Sequence, residues 1–133
     1  MFNHVSLGTN DLPRAMAFYD AALAPLDVSQ VYAVTVPDSG LVAVAYGPSQ
    51  DQPQFWVQHA ADGKPATVGN GVHVAFSAKS RAAVDAFHAA AMGAGGTDAG
   101  AAGLRPEYHE HYYGAFVRDP DGNKIEACCH APE

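Results

Sequence analysis

The chain repeats itself. Residues 2–11, FNHVSLGTND, return as residues 71–80, GVHVAFSAKS, and at one constant offset His4 falls on His73, Asp11 on Ser80, Phe18 on Phe87 and Leu23 on Met92. A repeated strand, helix cap and helix face constrains the fold more than any single motif, because half a chain of this kind leaves an apolar face that only its twin can cover. Each copy opens with a short strand-like run ending in Gly or Ser. A helix then starts behind a capping side chain. Asp11 precedes LPRAMAFYDAALAPL and Ser80 precedes RAAVDAFHAAAMGAGG, each able to accept a bond from an orphan N–H of the first turn. Pro13 sits in that turn, where its missing N–H costs little. Leu12, Ala15, Phe18, Tyr19, Ala22 and Leu23, and again Val84, Phe87, Ala91 and Met92, recur at three- and four-residue spacing and give each helix one apolar stripe. Pro25 ends the first helix; Gly93, Gly95 and Gly96 end the second.

Three apolar runs follow the first helix, VSQVYAVTV, LVAVAYG and QFWVQHA, separated by the turn-forming PDSG and PSQDQP. After the second helix a glycine-rich stretch, GAGGTDAGAAGLRP, leads into EYHEHYYGAFVR, and DPDG joins that to NKIEACCH. The glycine stretch suits a mobile lid or a loose connector. Strand, helix and three strands, twice over, predict an α+β fold with helices outside a curved mixed sheet. The repeats span about 1–60 and 70–131, joined by 61–69. With 133 residues, 48% of them apolar, the chain suffices for one domain with a real core and is too short for two.

Seven Lys and Arg against 14 Asp and Glu give a net charge of −7, and the basic residues are scattered. Such a surface repels phosphate backbones, so no nucleic-acid partner is expected, whereas a cationic small molecule is not disfavoured. No apolar run approaches a membrane span, and the N-terminus lacks a signal pattern. Cys128 and Cys129 are adjacent on a strand, point to opposite faces and cannot staple one another. A cytoplasmic, reducing location is the expectation.

The DPDG hairpin allows a positional prediction. Pro120 and Asp121 suit the centre of a type I turn and Gly122 the left-handed position after it, which pairs Asp119 with Asn123 and sets Glu126 opposite Phe116, with Gly114 and Tyr112 on the same face. A carboxylate flanked by Ile125 and Ala127 needs a cation partner when buried. His4 and His73, related by the duplication, are the candidates. Together with Glu126 they make a two-histidine, one-carboxylate set that suits Zn, Ni, Fe or Mn and leaves positions open for substrate and water. A lone histidine between apolar residues is more often core than ligand; the repeat relation favours the ligand role here.

In YHEHYY, His109 and His111 fall on one face of an extended segment and edge a pocket, where either can donate to a substrate oxygen. Trp56, Tyr112 and Phe116 wall a substrate cavity or serve as core. His88 takes the place of Tyr19 on the second helix, and His59 and His130 close strands. The glycine run lacks the strand–GxGxxG–helix context of a nucleotide site.

HVSLGTNDLPRAMAFYDAAL, GVHVAFSAKSRAAVDAFHAA and, most specifically, YYGAFVRDPDGNKIEA resemble the glyoxalase/bleomycin-resistance/dioxygenase (vicinal-oxygen-chelate) superfamily over essentially the whole chain. The resemblance implies two βαβββ modules forming a cup-shaped sheet around a divalent metal, often in a homodimer. It places metal ligands at His4, His73 and Glu126, with Glu126 also moving protons. Glyoxalase I carries a fourth ligand on the last strand of its first module. Here QFWVQHA offers Val57 at the ungapped position, or Phe55 or Trp56 with a small gap, and none binds a metal; Gln54, Gln58 or His59 would need a change of register. Three functions follow as expectations: glyoxalase-like lyase or isomerase chemistry, extradiol-type ring cleavage with Fe(II), or metal-free sequestration of a cationic antibiotic.

Overall fold

The computed structural model describes residues 1–133. Strand β1 (Val5–Gly8) leads to helix α1 (Leu12–Leu23), a 3-10 turn over Ala24–Leu26, and strands β2 (Ser29–Val36), β3 (Gly40–Gly47) and β4 (Phe55–Gln58). The second half repeats the order with β5 (His73–Ser77), α2 (Arg81–Gly93), β6 (Thr97–Leu104), β7 (Tyr113–Arg118) and β8 (Lys124–Cys129). Each half forms a four-stranded mixed sheet, β1-β4-β3-β2 and β5-β8-β7-β6, in which the first strand pairs parallel to the fourth and the others pair antiparallel. These are two βαβββ modules in an α+β fold.

The helices start where their caps predict: the Arg14 N–H donates to Asp11 Oδ1 (3.0 Å) and the Ala83 N–H to Ser80 Oγ (3.1 Å). Alternation along the strands then gives each sheet one face toward the helices. Val44, Tyr46, Phe55 and Val57 of the first sheet, and Ala115, Val117, Ile125 and Ala127 of the second, join Leu12, Phe18, Tyr19, Val84 and Phe87 in one buried cluster. The modules share this core, as the half-covered faces require. The helical stripes differ at their ends. α1 continues into the 3-10 turn that buries Leu26, whereas α2 stops at Gly93, the Gly96 N–H closes on the Ala91 carbonyl (2.9 Å), and Met92 is 39% exposed rather than core.

The DPDG hairpin has the predicted register. The Asp119 N–H donates to Asn123 O (2.8 Å), Gly122 has φ +97°, and Glu126 pairs with Phe116. The hairpin also fastens the two modules together. Thr9 Oγ1 donates to Asp121 Oδ2 (2.6 Å), the Asn10 N–H to Asp121 Oδ1 (2.9 Å), and Asn123 Nδ2 to the Gly8 carbonyl (3.0 Å). Behind them the buried Tyr19 hydroxyl donates to Asp119 Oδ2 (2.6 Å). Burial, and next the Asp119 charge, raise the Tyr19 pKa well above the ordinary phenol range.

The glycine-rich stretch is neither lid nor connector: it is strand β6, with Gly100 opposite Phe116 and Gly103 opposite Gly114. A Cβ on Gly100 would meet Phe116 Cδ2 at 3.0 Å and Arg105 Nη2 at 3.3 Å. Close approach of side chains from above, not chain mobility, explains that glycine.

Candidate functional site

Because Ile125 and Ala127 point into the core, Glu126 points to the opposite face of its sheet, between Ala75 on β5 and Phe116 on β7. It is only 2% exposed, and a carboxylate there requires partners. His73 Nε2 stands 3.0 Å from Oε2, and the Tyr112 hydroxyl donates to Oε1. Gly114 makes room for the second bond: a Cβ there would lie 3.1 Å from both Glu126 Oε1 and Tyr112 Cε1. Burial and the bond to Glu126 hold the Tyr112 pKa far above its usual value, so the phenol keeps its proton and acts as donor. On the same face Cys128 is a buried free thiol whose pKa is raised by burial.

His4 stays with the other module. It is exposed, its Nδ1 lies 2.7 Å from Asn3 Oδ1, and its ring meets Trp56 edge-on at 6.5 Å between centroids. Each histidine therefore remains beside the fourth strand of its own sheet, and no three His, Cys, Asp or Glu side chains converge within one chain. The registers also settle which residue of the first module stands where Glu126 stands in the second. Ser6 pairs with Trp56 as its repeat mate Ala75 pairs with Glu126. Trp56 thus replaces the carboxylate, its Nε1 donating to the Pro53 carbonyl (3.0 Å).

The residues before β7 are turns, not an extended segment, and the strand begins only at Tyr113. His109 and His111 consequently do not share a face. The His111 N–H donates to His109 Nδ1 (3.1 Å), which leaves the proton on His109 Nε2 to bond His130 Nδ1 (2.9 Å). His130 and Tyr112 pack with their rings tilted, 4.8 Å between centroids, so this pair braces the tyrosine that holds Glu126. His111 turns to Glu110 (3.3 Å). His88, the mate of Tyr19, pairs with Asp98 (2.9 Å), away from the site.

Phe116 is ringed by residues that reading for ligands passed over. Lys124 Nζ lies 4.8 Å and Arg105 Cζ 5.6 Å from its ring centroid, and the His73 ring is 5.8 Å away. The signal was there in the period-two alternation of β8, which places Lys124, Glu126 and Cys128 on one face. An open cleft of about 390 Å³ lies beside His73, Arg118 and Lys124, its other walls formed by Val68, Gly69 and Val72 among others.

No helix is long and apolar enough to cross a membrane. No protein with a curated description matches the chain. Among solved structures, a glyoxalase/bleomycin resistance protein from Albidiferax ferrireducens T118 is similar at 37% identity, covering 98% of this chain and 99% of that one, with a TM-score of 0.82. The fold also resembles that of a glyoxalase I mutant from Zea mays, at 21% identity over 96% of this chain and 46% of that one (TM-score 0.67). The fosfomycin resistance protein FosX from Listeria monocytogenes is similar at 14% identity over 98% and 93% (TM-score 0.66). The family model described as Glyoxalase/Bleomycin resistance protein/Dioxygenase superfamily matches residues 1–127. With the duplicated modules, the DPDG latch and the His73–Glu126 pair all inside that span, the chain belongs to this superfamily.

Proposed function

We propose that the protein is a metal-dependent enzyme that acts on a small oxygenated substrate by glyoxalase-like lyase or isomerase chemistry, as a homodimer in the cytoplasm. The carrying observation is the pair of the exposed His73 Nε2 and the buried Glu126 Oε2, 3.0 Å apart on one face of the second sheet. An imidazole and a carboxylate aimed at one another would serve as two donors to one divalent ion, and that donor set suits Zn, Ni, Fe or Mn. The third donor in this reading is His4 of the partner subunit. Its support is the isolation of His4 in one chain and the apolar edge strand β2 across the same sheet: Tyr32, Val34 and Val36 are 47%, 39% and 41% exposed, and Tyr32 and Val34 share the face of Ala45 and Ala43. Such a surface calls for a covering copy.

Bound there, a divalent ion supplies Lewis-acid stabilisation of negative charge on adjacent substrate oxygens. The protein's part is proton transfer and orientation. Tyr112 holds Oε1, so the proton transfer falls to Glu126 Oε2, which would have to leave the ion to take a proton from the carbon beside a substrate carbonyl and return it to the neighbouring carbon. With Trp56 in place of a second carboxylate, one group performs both transfers, on one face of the substrate. The same single carboxylate also supports a second reading, extradiol-type ring cleavage with Fe(II). Metal analysis and sedimentation of freshly purified protein, followed by assays on thiol-adduct aldehydes and on catechols with oxygen, test the proposal. A metal-loaded dimer that loses metal on His73→Ala is expected; a metal-free protein whose ligand binding survives chelation contradicts it and favours sequestration.

A further inference from the structure

The molecule is acidic, yet the face that carries Glu126 is locally basic. Of the 7 Lys and Arg residues, Arg105, Arg118 and Lys124 all border this face. Lys124 pairs across β8 and β7 with Arg118 in the register that sets Glu126 beside Phe116. Arg105 lies over the bare backbone of Gly100 and Gly103, 3.3 Å from the place of a Cβ on either. Its Nη2 donates to the Ala101 carbonyl (2.6 Å) and Arg118 Nη1 to the Gly122 carbonyl (3.0 Å), bonds that aim the guanidinium groups without neutralising them. None of the three forms a salt bridge, nor do Lys64 and Arg81; what sets Arg118 and Lys124 apart is that they line one cleft together. The cleft beside His73 is lined by Arg118 and Lys124 and by no acid. Glu126, the acid nearest Phe116, is taken up by His73 and Tyr112.

Unpaired cations stacked on one phenyl ring have two roles open to them. Stacking on Phe116, a ring only 7% exposed, accounts for where each cation lies, but not for the lack of any acid in the cleft that Lys124 and Arg118 line. An anion seated in that cleft would explain why Lys124 and Arg118 stand together there without acid partners. We infer that the substrate of this site carries an anionic group, a carboxylate or a phosphate-type oxyanion, held by Lys124 and Arg118 in the cleft beside His73. This rests on the proposed active site for its location and names the substrate class that site takes. It also reverses the expectation drawn from the net charge, because the local field at the cleft, not the total, selects the ligand.

The test is calorimetric titration of the protein in chelator at low ionic strength with inorganic phosphate, malonate and spermidine as probes. Saturable binding of phosphate or malonate is expected, weakened about tenfold or more in Arg118→Gln and in Lys124→Gln and reduced by added salt. The stronger of the two anions identifies the oxyanion type. No saturable anion binding, equal binding by both variants, or a preference for spermidine overturns the inference. Since chelator is present throughout, anion binding by a protein that never takes up metal would sink the metal-dependent reading and leave this inference standing.

Discussion

Glu126→Gln separates a functional carboxylate from a structural one. Glutamine keeps the size of the side chain. Its Oε1 still accepts from Tyr112, and its Nε2 faces His73 Nε2, which then offers its lone pair. Bonds to a charged partner are worth about 1.5–3 kcal/mol and neutral ones about 0.5–1.5 kcal/mol, so two such bonds lose roughly 2–3 kcal/mol together. Against this, a carboxylate that is 2% exposed has a desolvation penalty of several kcal/mol in the metal-free protein, and the substitution removes it. The balance predicts a stability change within about 1 kcal/mol, of either sign. Metal binding responds differently. Replacing even a group that orients a ligand costs about 10–100-fold in affinity, and losing the only anionic donor costs at least the upper value. Urea unfolding followed by circular dichroism, beside competition with a chromophoric chelator, measures both. A loss of more than about 3 kcal/mol with metal affinity unchanged would show that Glu126 is a structural ion-pair partner and refute this reasoning.

Tyr112→Phe should weaken metal binding about tenfold and change the intensity of the Co²⁺ absorption band, because Glu126 Oε1 is then free to approach the ion. Asp121→Ala removes the acceptor for Thr9 and Asn10 and the partner of Arg14 (3.4 Å); a loss of roughly 2–3 kcal/mol is expected, read as a melting temperature lower by roughly 8–12 °C. The Tyr19 pKa is raised in the folded state, so native and unfolded chains are both protonated below about pH 10 and this tyrosine's contribution is complete there. Above that pH the unfolded chain releases the proton while the native one keeps it, and stability falls as pH rises. Urea midpoints between pH 8 and 11.5 should show the fall, and Tyr19→Phe should make it shallower, the remainder belonging to Tyr46, Tyr112 and Tyr113, whose pKa values are raised too.

The fold was legible because its decisive signals are local. The caps at Asp11 and Ser80, the turn chemistry of DPDG and the alternation of β7 and β8 each act within a few residues, and the register from Asp119 to Glu126 followed from one turn type. The glycine run misled because Gly100 answers to Phe116 and Arg105 above it, contacts that composition does not encode. His109 and His111 misled because period two was applied to a segment that turns. At the site, the repeat singled out His4 and His73, and the pairing of His73 with Glu126 is close. What the repeat did not specify is that each histidine stays with its own sheet, since the relative placement of two modules depends on long-range packing. Tyr112 at Oε1 and the basic surround of Phe116 depend on the same tertiary approach.

Mixing two inactive variants, His4→Ala and Glu126→Gln, after each has been shown to bind no metal, measures whether the site is shared between copies. Reassembled mixed dimers should recover metal, because the Glu126→Gln chain still supplies His4 and the His4→Ala chain still supplies His73 and Glu126. A mixture that forms mixed dimers and stays empty would contradict a centre built from both subunits.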